Sequence, residues 1–277
     1  EKSRRVPNFN IYFSDGNRQK MLRDLPEGAF RIIFNEIAEN HRNILILAAL
    51  SAFGGLRPSE ACNVRREDSP LGPGMRVQYT NGKVSDVIID LREEKILRSD
   101  LIDVGGIKKP REQRIYPKFL AQFVDCYTLY SNYIVGHHYE ADYGALTNTS
   151  FGKAMTYNSY RNAFQNAVQG AIPKMLASED PKVQYYGFLL QEHSISPHIF
   201  RHWFSVHLTV DGATIADLMY WRGDKSPESS LTYLQNKSDL VKQYYNVSSK
   251  IMDYNLWRAD KKFGDNGDNG DNGDNHD

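Results

Sequence analysis

SPHIFRH, residues 196–202, is the most informative stretch of this sequence. Ser196 and Pro197 predict the start of a helix, because serine caps helix N-termini and proline fits the first helical position. His198 and Arg201 are three residues apart and therefore share one face of that helix. A forked cation beside a proton-transfer group suits the binding and activation of a phosphate. Most such pairs are solvated or structural, so the rest of the chain must decide.

The composition is typical of a globular protein. The 277 residues are 40% hydrophobic, 12% aromatic and 25% charged, which is enough for one large domain or two small ones. The longest apolar run, residues 44–56, is interrupted by serine and glycine, so we expect no membrane span and no signal peptide. Cys62 and Cys126 form no metal or disulfide pattern, which favours a reducing cytoplasm.

The neutral formal charge hides an uneven distribution. Five aspartates lie in the tail GDNGDNGDNGDNHD, so residues 1–263 carry 34 basic against 29 acidic side chains, a net charge of +5. A basic body permits a nucleic-acid partner. Residues 256–277 are expected to be disordered, since this Gly/Asp/Asn-rich segment has almost no apolar side chains and lacks the spacing of a calcium-binding loop.

The order of predicted elements indicates an α+β, mostly α-helical domain over residues 23–255, preceded by a basic arm or linker at 1–22. Asn81-Gly82 predicts a hairpin turn in a small sheet. Residues 136–156 lack periodicity and are interpreted as a loop or insertion, either a surface excursion or a contact for DNA or a partner subunit. Predicted helices cover about 25–39, 42–53, 57–60, 117–133, 157–169, 181–190, 197–210, 215–221, 227–234 and 240–253, and predicted strands cover 75–80, 84–91 and 114–116.

Four motifs carry a resemblance to a known family. They are Gly55-Leu-Arg57-Pro-Ser-Glu60, Lys108-Lys109-Pro-Arg-Glu-Gln-Arg114-Ile-Tyr-Pro117, His198-Ile-Phe-Arg201-His202 and Gly223-Asp-Lys-Ser-Pro-Glu-Ser-Ser-Leu-Thr-Tyr233. In this order they resemble the catalytic domain of the tyrosine recombinases, the phage-integrase family. That family's patterns read approximately G-L-R-x-S-E, a hairpin lysine, H-x-L-R-H and G-H-x-S-x-x-T-T-x-x-Y. The resemblance covers about residues 20–250 and implies the family's fold, with a small antiparallel sheet.

The resemblance implies a phosphoryl-transfer site. Arg57 and Arg201 would clamp the non-bridging oxygens of a DNA phosphate, which lysine could not do with the same planar fork. Tyr233 would attack phosphorus, leaving a 3′-phosphotyrosyl link and a free 5′-hydroxyl. His198 would assist removal of the tyrosine proton. Strands could then be exchanged without ATP, metal or cofactor, because the covalent link keeps the phosphodiester energy.

Other assignments stay open on the residues alone. Lys109 matches the hairpin lysine that protonates the leaving 5′ oxygen, and Lys108 is the alternative; both could also belong to a solvated turn. Arg57 could instead cap the preceding helix. Glu60 is expected to orient that arginine or its helix rather than to touch DNA. Two further tyrosines could compete with Tyr233 as the nucleophile, and they are Tyr244 and Tyr245.

Asp224 departs from the family pattern, which has histidine or sometimes tryptophan at this position. An imidazole or indole N–H donates to a phosphate oxygen, whereas an ionised carboxylate only accepts and would repel it. Asp224 could point away, be protonated near DNA, or leave the donor's place to Lys225 or Trp221. We expect weakened chemistry, on the order of the 10²–10³-fold that follows loss of one such donor.

The function implied by the resemblance is that of a site-specific DNA recombinase or integrase. It would work as a tetramer on double-stranded DNA, with the segment after Tyr233 packing on a neighbouring protomer, and as a monomer alone. A type IB topoisomerase or a telomere resolvase would share its chemistry, and a non-catalytic DNA-binding descendant is a further alternative. We expect a cytoplasmic, nucleoid-associated protein from a prokaryotic, viral or mobile-element host, without an N-terminal core-binding domain because residues 1–22 are too short for one.

Overall fold

A computed structural model of the protein describes residues 25–137 and 142–227. The basic arm, the nucleophile candidate Tyr233, the expected helices at 227–234 and 240–253 and the acidic tail lie outside the described residues, apart from Pro227 itself. Within the described ranges no helix is long and apolar enough to cross a membrane.

The described residues form eight α-helices and one small sheet, which confirms the α+β, mostly helical prediction. Short 3₁₀ segments precede α2 and α4 and follow the gap after α4. The helices are α1 Glu27–Asn40, α2 Leu45–Gly54, α3 Pro58–Cys62, α4 Leu120–His137, α5 Tyr157–Leu176, α6 Pro181–Glu192, α7 His198–Val210 and α8 Ile215–Arg222, and the strands are β1 Met75–Thr80, β2 Lys83–Asp90 and β3 Glu112–Arg114.

Helix α2 is the centre of the core. Every residue from Leu45 to Gly54 is buried, and the helix packs against α1, α3, α4 and α7. A helix that is apolar on all sides has to lie inside the protein. It ends at Gly55, whose φ of 67° is the left-handed conformation that glycine adopts without a steric penalty. At this point the backbone lies against the ring of Phe204 on α7.

Aromatic rings join α1, α2 and α7. Trp203 stacks on Phe30 with ring centroids 4.0 Å apart and an interplanar angle of 6°. Phe200 meets Phe34 edge to face at 5.5 Å, and Phe34 contacts Phe53 at the same distance. The expected packing positions on α7, including Trp203, Phe204 and Leu208, are all buried. This cluster fixes how α7 lies against the end of α2.

The sheet is antiparallel in the order β1-β2-β3. Asn81 and Gly82 connect β1 to β2 with φ values of 52° and 75°, so both occupy the left-handed region that a two-residue hairpin requires. The segment between β2 and β3 returns to the sheet where Leu91 and Arg111 exchange two backbone hydrogen bonds of 2.9 and 3.2 Å. This pairing brings the basic turn before β3 back beside the sheet.

Three expectations need correction. Helix α7 begins at His198, after Pro197, and its first turn is satisfied by the carbonyl of Ser196 accepting from Ile199 N at 2.9 Å rather than by a serine side-chain cap. Strand β3 lies two residues earlier than predicted, at Glu112–Arg114. The segment at 136–156 is not simply a surface excursion, since residues 144–148 and 154–155 are buried and Leu146 N bonds Val64 O.

Candidate active site

Arg57 lies where the buried helix α2 gives way to α3. Gly55 ends α2, and Pro58 begins α3 at the first helical position, which fixes the chain direction at Arg57. Glu60 closes the helix start by accepting the backbone N–H of Arg57 at 3.1 Å. The same carboxylate accepts from Arg57 Nη1 at 2.9 Å. The arginine is therefore oriented by Glu60, as expected, and it does not cap α2.

His198 and Arg201 lie one turn apart at the N-terminal end of α7. Arg201 is 5% exposed, and its Nη1 donates to the carbonyls of Gly55 and Arg222. These two carbonyls belong to the ends of α2 and α8, so the guanidinium joins three helices. His198 reaches solvent, and its ring lies edge-on to Tyr157 at a centroid distance of 6.3 Å.

Lys109 reaches the same region from the turn before β3. Its Nζ donates to the backbone carbonyl of Asp224 at 3.4 Å. The neighbouring Lys108 is exposed. The alternation of the chain therefore directs one lysine of the pair toward the arginines and leaves the other at the surface.

Asp224 points into the cluster of arginines, against the expectation that it could point away. It is 4% exposed and follows Gly223, which ends α8 with a φ of 58°. Its Oδ1 accepts from Arg57 Nη2 and from Arg201 Nη2, each at 2.7 Å. Its Oδ2 accepts from Arg222 Nε at 2.6 Å. Because guanidinium nitrogens only donate, both oxygens act as an ionised carboxylate would.

The two alternative donors do not take the missing imidazole's place among the described contacts. Lys225 is exposed. Trp221 lies edge-on to Tyr116 with ring centroids 5.0 Å apart, and its carbonyl accepts from Gln113 Nε2 at 3.1 Å. The position that the resemblance assigns to a phosphate donor is thus an acceptor here.

The electrostatics of the site follow from burial and from the density of positive charge. Burial raises the pKa of Glu60, but the hydrogen bonds and charges of Arg111 and Arg57 outweigh it, so the net pKa is lowered. Burial, followed by the charges of Arg222 and Arg57, lowers the pKa of Arg201 to about 9, which leaves it cationic at neutral pH. Glu60 and Asp224 together offset part of this repulsion.

His198 responds to the same charges. Loss of hydration beside the surrounding protein lowers its pKa first, even though the side chain reaches solvent, and the guanidiniums of Arg201 and Arg57 lower the pKa further. Glu60 opposes this shift. A neutral imidazole at pH 7 is able to accept a proton.

Sequence reasoning missed two arginines of the cluster. Arg222 is 7% exposed and, besides Asp224, donates to Ser205 Oγ at 2.5 Å. Arg111 holds Glu60 and also donates from Nη1 to the carbonyl of Lys109 at 2.9 Å. Arg222 stands two residues before Asp224 at a glycine-ended helix, and this local pair of opposite charges is the signal that could have found it.

The structure brings together five of the six predicted site residues, which are Arg57, Lys109, His198, Arg201 and Asp224. The sixth, Tyr233, lies outside the described residues, as do Tyr244 and Tyr245. Among residues 25–137 and 142–227 there is no group of three or more His, Cys, Asp or Glu side chains arranged to hold a metal ion.

Comparison with known proteins finds likeness in structure rather than in sequence. No protein-family model matches the sequence, and no curated protein matches it. Solved structures do match. XerA recombinase superposes with a TM-score of 0.53 at 15% identity, over 82% of this chain and 65% of that one.

Two DNA complexes match similarly. XerH site-specific recombinase bound to a palindromic difH substrate, in its post-cleavage complex, gives a TM-score of 0.51 at 15% identity over 81% of this chain and 52% of that one. The Tn1549 transposon integrase in complex with circular intermediate DNA gives 0.50 at 18% identity over 76% and 61%. The matched part spans about half to two thirds of the length of these proteins. With the helical architecture and the three-stranded sheet described above, these likenesses show that the chain has the fold of the tyrosine recombinase catalytic domain.

Proposed function

We propose that this chain is a site-specific DNA recombinase or integrase that cleaves and rejoins DNA through a covalent tyrosine intermediate. One observation carries the proposal. Arg57 and Arg201, which are 144 positions apart in the sequence, direct their Nη2 groups at a single anionic oxygen, each at 2.7 Å. Two guanidiniums that converge on one oxygen are suited to a phosphodiester, and His198 and Lys109 lie beside them.

The reaction would proceed in line at phosphorus. Tyr233 Oη attacks the phosphorus of a DNA phosphodiester while His198 takes up the phenol proton. The bond from phosphorus to the 5′ oxygen breaks, and Lys109 Nζ gives that oxygen a proton, which leaves a free 5′-hydroxyl. Arg57 and Arg201 stabilise the charge that grows on the non-bridging oxygens. Attack by a 5′-hydroxyl of another strand reverses each step and restores the phosphodiester.

DNA binding itself would rest on phosphate contacts. The net charge of +5 on residues 1–263 favours a polyanion, and such binding falls steeply as salt concentration rises. We infer a monomer in the absence of DNA and a tetramer that joins two duplexes during strand exchange. Sedimentation analysis with and without the DNA site recovered below distinguishes these states.

Trapping of the covalent intermediate tests the proposal. The protein is incubated with a library of nicked duplexes of randomised sequence, in which the short strand beyond the nick diffuses away after cleavage. We expect complexes that survive denaturing detergent, with the DNA 3′ end joined to Tyr233. Tyr233→Phe should form none, whereas Tyr185→Phe, which alters a half-exposed tyrosine on α6, should form as many as the unaltered protein. Adducts that persist in Tyr233→Phe, or their absence from the unaltered protein, would refute the proposal.

The recovered sequence then separates the related activities. Recombination between two plasmids that carry this site identifies a recombinase. Relaxation of any supercoiled plasmid identifies a type IB topoisomerase, and hairpin formation at the DNA ends identifies a telomere resolvase. Binding to the site with no adduct would identify a DNA-binding descendant.

A further inference from the structure

Asp224 occupies the donors that a phosphate would need. Its Oδ1 accepts from Arg57 and Arg201 at 2.7 Å each, which are the two Nη2 groups that converge in the site. Arg201 is 5% exposed and Asp224 is 4% exposed, so the carboxylate covers the guanidinium from solvent rather than lying beside an open site. In the described structure the arginine pair is already bound to an anion.

We propose that Asp224 is an internal counter-anion of the arginine pair, and that a phosphate group must displace it before Arg57 and Arg201 can bind that phosphate. This inference rests on the proposed function for its DNA substrate. The exchange itself requires only the chemistry of a phosphate and can be measured without DNA. It makes the unliganded protein a self-blocked form of the site.

Exchange is favoured over simultaneous binding. Carboxylate and phosphate oxygens are both acceptors, and neither can donate to the other. An N–H that Asp224 Oδ1 occupies is not open to a phosphate oxygen at the same position. The two anions would also repel each other at contact distance, and more strongly in a buried site than in water.

Of the two buried anions, Asp224 is the one able to leave. Glu60 is fully buried and accepts from both Nη groups of Arg111 as well as from Arg57. Asp224 follows the end of α8 and precedes the exposed residues Lys225 and Ser226. Its backbone N–H is held by Met219 O at 3.0 Å, so rotation of the side chain alone removes the carboxylate while the helix end stays in place.

The counter-anion also explains how the empty site stays folded. Three guanidiniums, those of Arg57, Arg201 and Arg222, lie around one carboxylate. Buried like charges without an anion would repel each other and lose hydration with no compensation. The presence of Asp224 satisfies them until a stronger anion arrives, and a phosphate can offer more oxygens to the same donors.

Inorganic phosphate is the probe that tests the exchange. Its dissociation constant is measured by calorimetric titration of the full chain, with phosphate-dependent thermal stabilisation as a second reading. Asp224→Asn keeps the shape of the side chain but removes its charge, so we expect phosphate to bind at least about tenfold more tightly, equivalent to 1.4 kcal/mol. Glu179→Gln, which removes one negative charge from an exposed position between α5 and α6, should leave the affinity within about twofold.

A double variant guards against misfolding. Asp224→Asn leaves one buried positive charge unbalanced, whereas Arg222→Met combined with Asp224→Asn removes both members of a buried pair and restores the balance. Circular dichroism identifies which variants fold, and the double variant should also bind phosphate about tenfold more tightly than the unaltered protein. Unchanged or weaker phosphate binding in the folded variants would overturn the inference.

The outcome is separable from that of the proposed function. Tighter phosphate binding in the variants without any Tyr233-dependent DNA adduct supports the exchange and refutes the recombinase. An adduct in the unaltered protein together with unchanged phosphate affinity in the variants supports the recombinase and refutes the exchange.

Discussion

Arg111 and Glu60 form a two-bonded ion pair across 51 positions of sequence, with Arg111 Nη1 and Nη2 lying 3.2 and 3.0 Å from the two carboxylate oxygens. Arg111 comes from the turn before β3, and Glu60 lies on α3. Through Glu60 the pair holds Arg57, and through the carbonyl of Lys109 it holds the turn that carries the lysine. One ion pair therefore sets the position of two residues of the proposed site.

Replacement of Glu60 should destabilise the protein strongly. Glu60→Gln removes a fully buried charge and leaves Arg57 and Arg111 without their common anion. Breaking a buried pair in this way costs about 3–5 kcal/mol. Urea unfolding measures the loss. The matched control is Glu112→Gln, because Glu112 pairs with Arg76 at 2.6 Å but both side chains are more than a third exposed or close to it, and such a pair contributes at most about 1 kcal/mol. Equal losses in the two variants would contradict a fixing role for Glu60.

The two neighbouring lysines should differ in their effect on cleavage. Lys109→Met removes the proposed proton donor to the 5′ oxygen, so cleavage of an ordinary phosphodiester should slow by about 10²–10⁴-fold. A substrate whose leaving oxygen is replaced by sulfur should restore the rate, since a thiolate is a much better leaving group than an alkoxide. Single-turnover adduct formation measures both rates. Lys108→Met alters an exposed side chain and should cleave both substrates at the unaltered rate. A defect that sulfur does not repair would assign Lys109 to binding instead.

The pKa of His198 should lie below the ordinary value of 6.5, because lost hydration and the charges of Arg201 and Arg57 disfavour its protonated form. Nuclear magnetic resonance titration of the imidazole Cε1–H measures it. Removing a positive charge with Arg57→Met should raise this pKa toward 6.5. The matched variant Lys225→Met removes an exposed positive charge and should leave it in place. A titration at or above 6.5 in the unaltered protein would contradict the prediction.

The same shift predicts how stability depends on pH. Between 6.5 and the lowered pKa of His198, the unfolded chain binds a proton that the folded protein does not, so stability decreases as the pH falls through this window. His207 acts in the same direction, because burial lowers its pKa despite the opposing Glu27. Urea unfolding at pH 7.5 and 5.5 should show this loss. His207→Leu should reduce it, and an identical loss in that variant would contradict the assignment.

Replacement of Arg201 by lysine tests whether shape matters as well as charge. Lysine cannot donate to the Gly55 and Arg222 carbonyls and to a phosphate at once, because it lacks the planar fork. Adduct formation should fall by about 10²–10³-fold. Binding of DNA should change little in its salt dependence, since the charge count is preserved. A variant that cleaves at the normal rate would mean that Arg201 serves packing alone.

Local patterns were sufficient for most of the fold. The apolar run that forms α2, the Asn81-Gly82 turn and the i, i+3 spacing of His198 and Arg201 each depend on neighbouring residues, and the structure has all three. The start of α7 and the limits of β3 differ by one or two positions because helix and strand ends are decided by which backbone partners are within reach.

The arrangement of charges within the site could not be read in the same way. Asp224 meets Arg57 across 167 positions and Arg201 across 23, so its direction depends on how α3, α7 and α8 pack rather than on its neighbours. Arg111 and Arg222 were overlooked for the same reason, since their partners come from distant elements. Burial of residues 144–148 also depends on contacts with the chain near Val64, which no periodicity in that segment reveals.

Gly55 shows how little room the site leaves for variation. A β-carbon there would lie 2.5 Å from Cε1 of Phe204 and 3.0 Å from the carbonyl oxygen of Trp221, on a residue whose φ of 67° already disfavours side chains. In a library of all single substitutions scored for DNA cleavage, this position should be as intolerant as Arg57 or Arg201, although it contributes no functional group. Recognition of the site from a tolerance map alone would therefore count a hydrogen atom among its essential parts.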